Sequence, residues 1–85
     1  MTKGEYRVGI NFNPSQDDTV GQIKRRAADF IDLLENHIRE FDDSFEGHEC
    51  AAEYIRLRAL AQTHIEDAAM WAVKAVTKPN REYSK

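Results

Sequence analysis

From residue 20 onward the apolar side chains return every three or four positions, twice over, with one short polar break between the runs. That spacing keeps one face of an α-helix apolar, and no other regular structure repeats with it. The first run is Val20, Ile23, Ala27, Phe30, Ile31, Leu34, Ile38 and Phe41. The second is Tyr54, Leu57 (or Arg58), Ala61, Ile65, Ala68, Trp71 (with Ala72) and Ala75. Thr19-Val20-Gly21-Gln22 reads as a capping box that starts the first helix. Pro79 ends the second. The pattern predicts an arm over 1–18, a helix over about 19–41, a loop over 42–47, a helix over about 48–77 and a tail over 78–85, all one domain.

The fold class is therefore all-α, a two-helix antiparallel hairpin. In the arm, Asn11, Asn13, Pro14, Ser15, Asp17 and Asp18 favour turns and caps. Tyr6, Val8, Ile10 and Phe12 alternate with polar or small residues, which suggests a short extended segment. Two helices have too few faces to enclose a core. Phe30, Phe41, Tyr54 and Trp71 are expected to stay partly wet unless copies of the chain associate. At 85 residues a chain buries only about 60% of its unfolded surface, so self-association is the simplest remedy.

Charge narrows the partners. The net charge of −3 argues against binding DNA or RNA polymers, which calls for a basic surface. A small anion needs only a local cluster of cations. A single cysteine, Cys50, excludes an internal disulfide and suits a reducing compartment. No apolar run approaches the roughly 18 residues of a membrane span. No signal-peptide core opens the chain. A cytoplasmic protein with no membrane partner is expected.

The segment from Phe12 to Arg26 is the main candidate for chemistry. It joins an aromatic ring, a turn, a helix start, Gly21 and the cations Lys24, Arg25 and Arg26. Helix N-termini favour anions, glycine admits a close ligand, and an aromatic ring stacks on a base. The plainer alternative makes the three cations a solvated helix face and Phe12 a hydrophobic staple. His48-Glu49-Cys50 is a poor chelate, and neither Glu-x-x-His nor Cys-x-x-Cys occurs, so no metal and no cofactor is expected. Asp29, Asp32 and Glu35 form an acid ladder on the first helix. They read as solvated surface pairing with Arg26 and Arg39, rather than as magnesium ligands of a nucleotide hydrolase using Asp29, Asp32 and Glu66. No catalytic residue and no enzyme activity are expected.

Two segments carry a family resemblance. Asn11-Phe12-Asn13-Pro14 followed by Ile23-Lys24 resembles the N-terminal signature of a phage helical-hairpin family. The run from Leu60 through Thr63, Ile65-Glu66-Asp67-Ala68-Ala69 and Met70-Trp71-Ala72 is similar to that family's tryptophan segment. The family is the second type of anti-CBASS cyclic-nucleotide sponge, which shares a hairpin domain with the sponge that counters Thoeris defence. The resemblance covers about residues 7–78. It implies a homohexamer in the cytoplasm of an infected bacterium that sequesters cyclic dinucleotides, and in some members cyclic trinucleotides, without degrading them. It puts base stacking on Phe12 and phosphate on Lys24, with Asn13 and Gly21 beside them. Arg58 and Thr63 are the nearest counterparts of a second, trinucleotide pocket. Phenylalanine at position 12 departs from the family's usual tyrosine. The competing reading is an oligomeric helical module that binds protein through its apolar stripe and has no nucleotide affinity.

Overall fold

The computed structural model describes residues 1–81, so residues 82–85 of the expected tail lie outside it. Among the described residues there are three helices and no strand: α1 (Lys3–Val8), α2 (Asp18–Glu35) and α3 (Phe45–Thr77). No helix among the described residues is long and apolar enough to cross a membrane. α2 and α3 pack antiparallel, as expected, within an elongated body of 61 × 25 × 13 Å.

The extended arm is corrected to a helix. Thr2 caps α1: its Oγ1 accepts the Glu5 N–H at 3.1 Å, and Glu5 Oε1 accepts the Thr2 N–H at 2.9 Å. This reciprocal box satisfies two otherwise orphaned donors. Gly9, at φ +64°, ends the helix; its N–H reaches the Tyr6 carbonyl and that of Ile10 the Glu5 carbonyl. That is a Schellman stop, where glycine adopts the left-handed conformation without a Cβ clash. The apparent two-residue alternation from Tyr6 to Phe12 spans a helix and a turn.

The start of α2 also differs. Asp17, not Thr19, is the N-cap, and its Oδ1 accepts the Thr19 N–H at 2.7 Å. A carboxylate there satisfies a free N–H and suits the positive end of the helix dipole. At its other end α2 stops at Glu35, six residues before the expected boundary. Ile38 and Phe41 continue the helical spacing, yet the chain has already turned, and Phe41 packs its ring 5.9 Å from Tyr54. α3 then starts three residues early, with Ser44 Oγ accepting the Gly47 N–H at 2.9 Å. Gly47, expected in the loop, lies in the first helical turn. The Asp42 carbonyl presses on it, leaving no space for a Cβ.

The core is small. Val20, Ala28, Ile31 and Ala69 are its buried apolar residues, joined by the amide of Gln62. Gln62 Nε2 donates to the Ile31 carbonyl at 3.1 Å and to Glu35 Oε1 at 3.2 Å, tying α3 to α2. Phe30 and Trp71 stay more than half exposed, and Leu33, Ile55, Leu57 and Met70 with them.

α1 is held mainly by polar contacts. Gly4 lies directly on the Ala28 carbonyl, and its N–H donates to Asp32 Oδ1 at 2.7 Å. Lys3 pairs with Glu35 at 2.9 Å, Arg25 with Glu5 at 2.8 Å, and Arg7 with Glu66 at 3.2 Å. The hydrogen bond from Arg25, then that from the Thr2 N–H, pulls the Glu5 carboxyl down from 4.5 to about 2. Lys3, then Gln62, lowers Glu35 in the same direction. A carboxyl with a lowered folded-state pKa stabilises the fold fully above its unfolded value and stops doing so as pH falls through the folded one. The docking of α1 is therefore expected to weaken as pH drops from 4.5 towards 2 while α2 and α3 keep their helicity. Amide resonances of Gly4 and Gly9 followed through that window report it. Glu5→Gln should flatten much of the response; resonances that do not move in the parent would show that α1 is held by something other than these carboxylates.

Candidate functional site

The turn after α1 and the second turn of α2 meet at Lys24. Lys24 is only 7% exposed. Its ammonium donates to the Gly9 carbonyl at 3.0 Å and to the Phe12 carbonyl, and lies 5.3 Å from the centre of the Phe12 ring. The aliphatic stem is buried while the charge is met by main-chain oxygens and a ring face. Phe12 itself is 71% exposed. It is not a hydrophobic staple: the ring stands on the surface above a cation, available for stacking.

Asn13 shapes the next turn. Its Nδ2 donates to the Asp17 carbonyl at 3.0 Å, and its Oδ1 accepts the Ser15 hydroxyl at 2.8 Å. The amide is thus engaged in the bend that carries Phe12 to α2. Gly21 is different. Among the described residues nothing lies within 4 Å of where its Cβ would be, so none of their packing calls for glycine there.

The expected cluster of three cations does not form. Successive helical residues point about 100° apart. Lys24 points inward beneath the turn. Arg25 is taken by Glu5 and by Asp29, the latter at 2.8 Å. Arg26 lines the groove between α2 and α3. The helix start is less receptive to anions than its sequence suggested, because the Asp17 carboxylate already caps it.

The acid ladder is absorbed by the fold. Asp29 pairs with Arg25 rather than Arg26, Asp32 accepts the Gly4 N–H, and Glu35 holds Lys3 and Gln62. Arg39 does not pair with the ladder but stacks 4.7 Å from the Phe41 ring.

Arg58 and Thr63 are not brought together within one chain. Five residues apart on a helix, they point about 140° apart. Arg58 lies 5.6 Å from the Tyr54 ring, on the side of the 36–44 loop. Thr63 accepts from Arg7 Nη2 at 3.3 Å, on the side of α1.

Sequence reading missed a cleft of about 320 Å³ where all three helices meet. Arg7, Lys24 and Glu66 supply its charges, and Val8, Ala69 and Met70 contribute to its apolar lining. Arg7 grips Glu66 through Nε at 3.2 Å and Nη2 at 3.3 Å. The available signal was the Thr2-x-x-Glu5 box, which makes residues 3–8 a helix and puts Arg7 in its last turn.

Comparison with curated proteins and with solved structures finds no match for the chain. The family model described as Acb2/Tad1, hairpin domain, matches residues 5–77. That span runs from α1 through the turn bearing Phe12, across α2, to the last residue of α3. It includes both segments on which the sponge resemblance rests, and on it the chain belongs to the Acb2/Tad1 hairpin-domain family.

Proposed function

We propose that this chain is a phage anti-defence sponge that holds cyclic dinucleotides as a homo-oligomer in the host cytoplasm and releases them chemically unchanged. The observation that carries the reading is the Phe12 ring, 71% exposed on a turn fixed by Lys24, in a chain of this family. Lys24 meets that ring from below, yet the single chain leaves most of it in water, and a planar base would cover it. Stacking contributes roughly 1–3 kcal/mol per base. Two copies related by a two-fold axis present two rings to the two bases of a cyclic dinucleotide, doubling the contribution.

Assembly is supported by what the hairpin leaves uncovered. Phe30, Leu33, Leu57, Leu60, Met70 and Trp71 are each more than 40% exposed. Phe30 also lines an apolar groove with Ile23, Ala27, Ile65 and Ala72 between α2 and α3, and contiguous apolar surface of this kind marks an association surface. A trinucleotide pocket built on both Arg58 and Thr63 takes them from two protomers, since they diverge within one.

The protein-interaction alternative shares the apolar surface and parts from the sponge at the ligand. Light scattering in neutral buffer should give a mass several times 9.8 kDa. Calorimetric titration with a panel of cyclic di- and trinucleotides should give saturable binding of at least one dinucleotide. After overnight incubation with magnesium, heating should return that compound intact. Linear product would promote the hydrolase reading. An oligomer that binds none of the panel would favour the interaction module, and a monomer would remove the two-fold site.

A further inference from the structure

We propose that Arg7 is the cation that meets the phosphate of the cyclic dinucleotide, with Lys24 holding Phe12 in place; the inference rests on the sponge reading above. Lys24 is poorly presented for a phosphate. It is nearly buried, and two of its three N–H donors are used by the Gly9 and Phe12 carbonyls. Turning it outward would give up both hydrogen bonds that join α2 to the turn carrying the stacking ring.

Arg7 lines the same cleft as Lys24 and is better placed. Its side chain is 23% exposed, enough to be reached and covered enough that a contact is weakly screened. Its guanidinium is oriented before any ligand arrives, because Glu66 takes Nε and Nη2 and Thr63 also takes Nη2. Nη1 has no partner among the described residues and offers two N–H donors for a phosphate oxygen. The apolar lining from Val8, Ala69 and Met70 suits the ribose and the base edge. Lys24 links this cleft to the stacking ring, since it lines the cleft and its ammonium lies 5.3 Å from the centre of the Phe12 ring.

Glu66 then has two opposed effects. It orients Arg7, and it repels an incoming phosphate. That conflict supplies the test. Cyclic di-AMP, cyclic di-GMP and cyclic GMP–AMP are titrated into the full chain and its variants at low and high salt. Arg7→Ala should weaken binding roughly tenfold or more, the loss expected of a charge-assisted hydrogen bond, and flatten its salt dependence. Arg7→Lys should recover part of it. Glu66→Gln keeps an orienting acceptor and removes the repulsion, so binding should tighten several-fold. If Arg7 merely fastens α1 to α3, both Arg7→Ala and Glu66→Gln weaken the same joint, and affinity falls in both. Parallel loss, or no change in Arg7→Ala, overturns the proposal while leaving the sponge intact. A parent that binds none of the three overturns both. Should Arg7→Ala fail to assemble, the sign of the Glu66→Gln effect still decides.

Discussion

Gly4→Ala is expected to detach α1 and expose Arg7 to trypsin, against a parent in which that bond is protected. The new methyl would overlap the Ala28 carbonyl, an atom of the α2 backbone that has no rotamer to adopt. Overpacking of this kind costs roughly 1–3 kcal/mol. Here it acts on a six-residue helix with little apolar burial of its own, so undocking is the easiest relief. The Asp32, Glu35 and Glu66 contacts are then lost together. Affinity for a cyclic dinucleotide should fall with them, because the turn bearing Phe12 hangs from α1. Gly21→Ala is the counterpart: with open space at its Cβ it should raise helix stability by about 0.5–1 kcal/mol. A loss of affinity in that more stable variant would assign the bare backbone at Gly21 to the ligand or to a neighbouring copy. Unchanged proteolysis of Gly4→Ala would mean that α1 does not need its close approach to Ala28.

The two long helices were legible because a repeat of three and four over many residues has one structural meaning. α1 was not, since it has less than two turns and its evidence lies in its caps. Thr2, Glu5 and Gly9 announce a helix, but Tyr6, Val8, Ile10 and Phe12 offer a competing two-residue spacing. The end of α2 was misplaced for a related reason. Ile38 and Phe41 keep the apolar period by sequence, while the contact that settles Phe41 is with Tyr54, thirteen positions away. Gly47 reads as a loop residue until the Asp42 carbonyl is seen lying against it.

The residues put Phe12 and Lys24 in one candidate segment and the family resemblance gave each a role, but the direction of the Lys24 side chain and its contact with the Phe12 ring were not legible. Its burial depends on two carbonyls that converge only after Gly9 turns left-handed. Arg7 and Glu66 are 59 residues apart, and no local pattern links them. The ladder of Asp29, Asp32 and Glu35 illustrates the same limit. Its spacing showed one helical face, but the helix waiting to dock on that face had not been recognised.

Phe12→Ala should separate affinity from stability. The ring is mostly in water, so its removal should leave thermal stability and oligomer mass close to those of the parent. Binding should drop sharply, because stacking of about 1–3 kcal/mol per base corresponds to roughly five- to 150-fold in Kd and a two-fold site counts it twice. Phe12→Tyr keeps the ring face and should keep most of the affinity. Lys24→Met gives the contrasting result. It preserves the buried stem but removes the ammonium from the Phe12 carbonyl and from the Gly9 carbonyl, which keeps only the Phe12 N–H, and losing hydrogen bonds to a charged group costs roughly 1.5–3 kcal/mol. That variant should lose stability and affinity together, and by different routes: the ring is present but no longer held. Calorimetry and thermal melts on the three proteins distinguish the roles. If Phe12→Ala binds as the parent does, base stacking takes place elsewhere. If Lys24→Met melts like the parent, the ammonium is not what holds the turn, and its charge is free to serve the ligand directly.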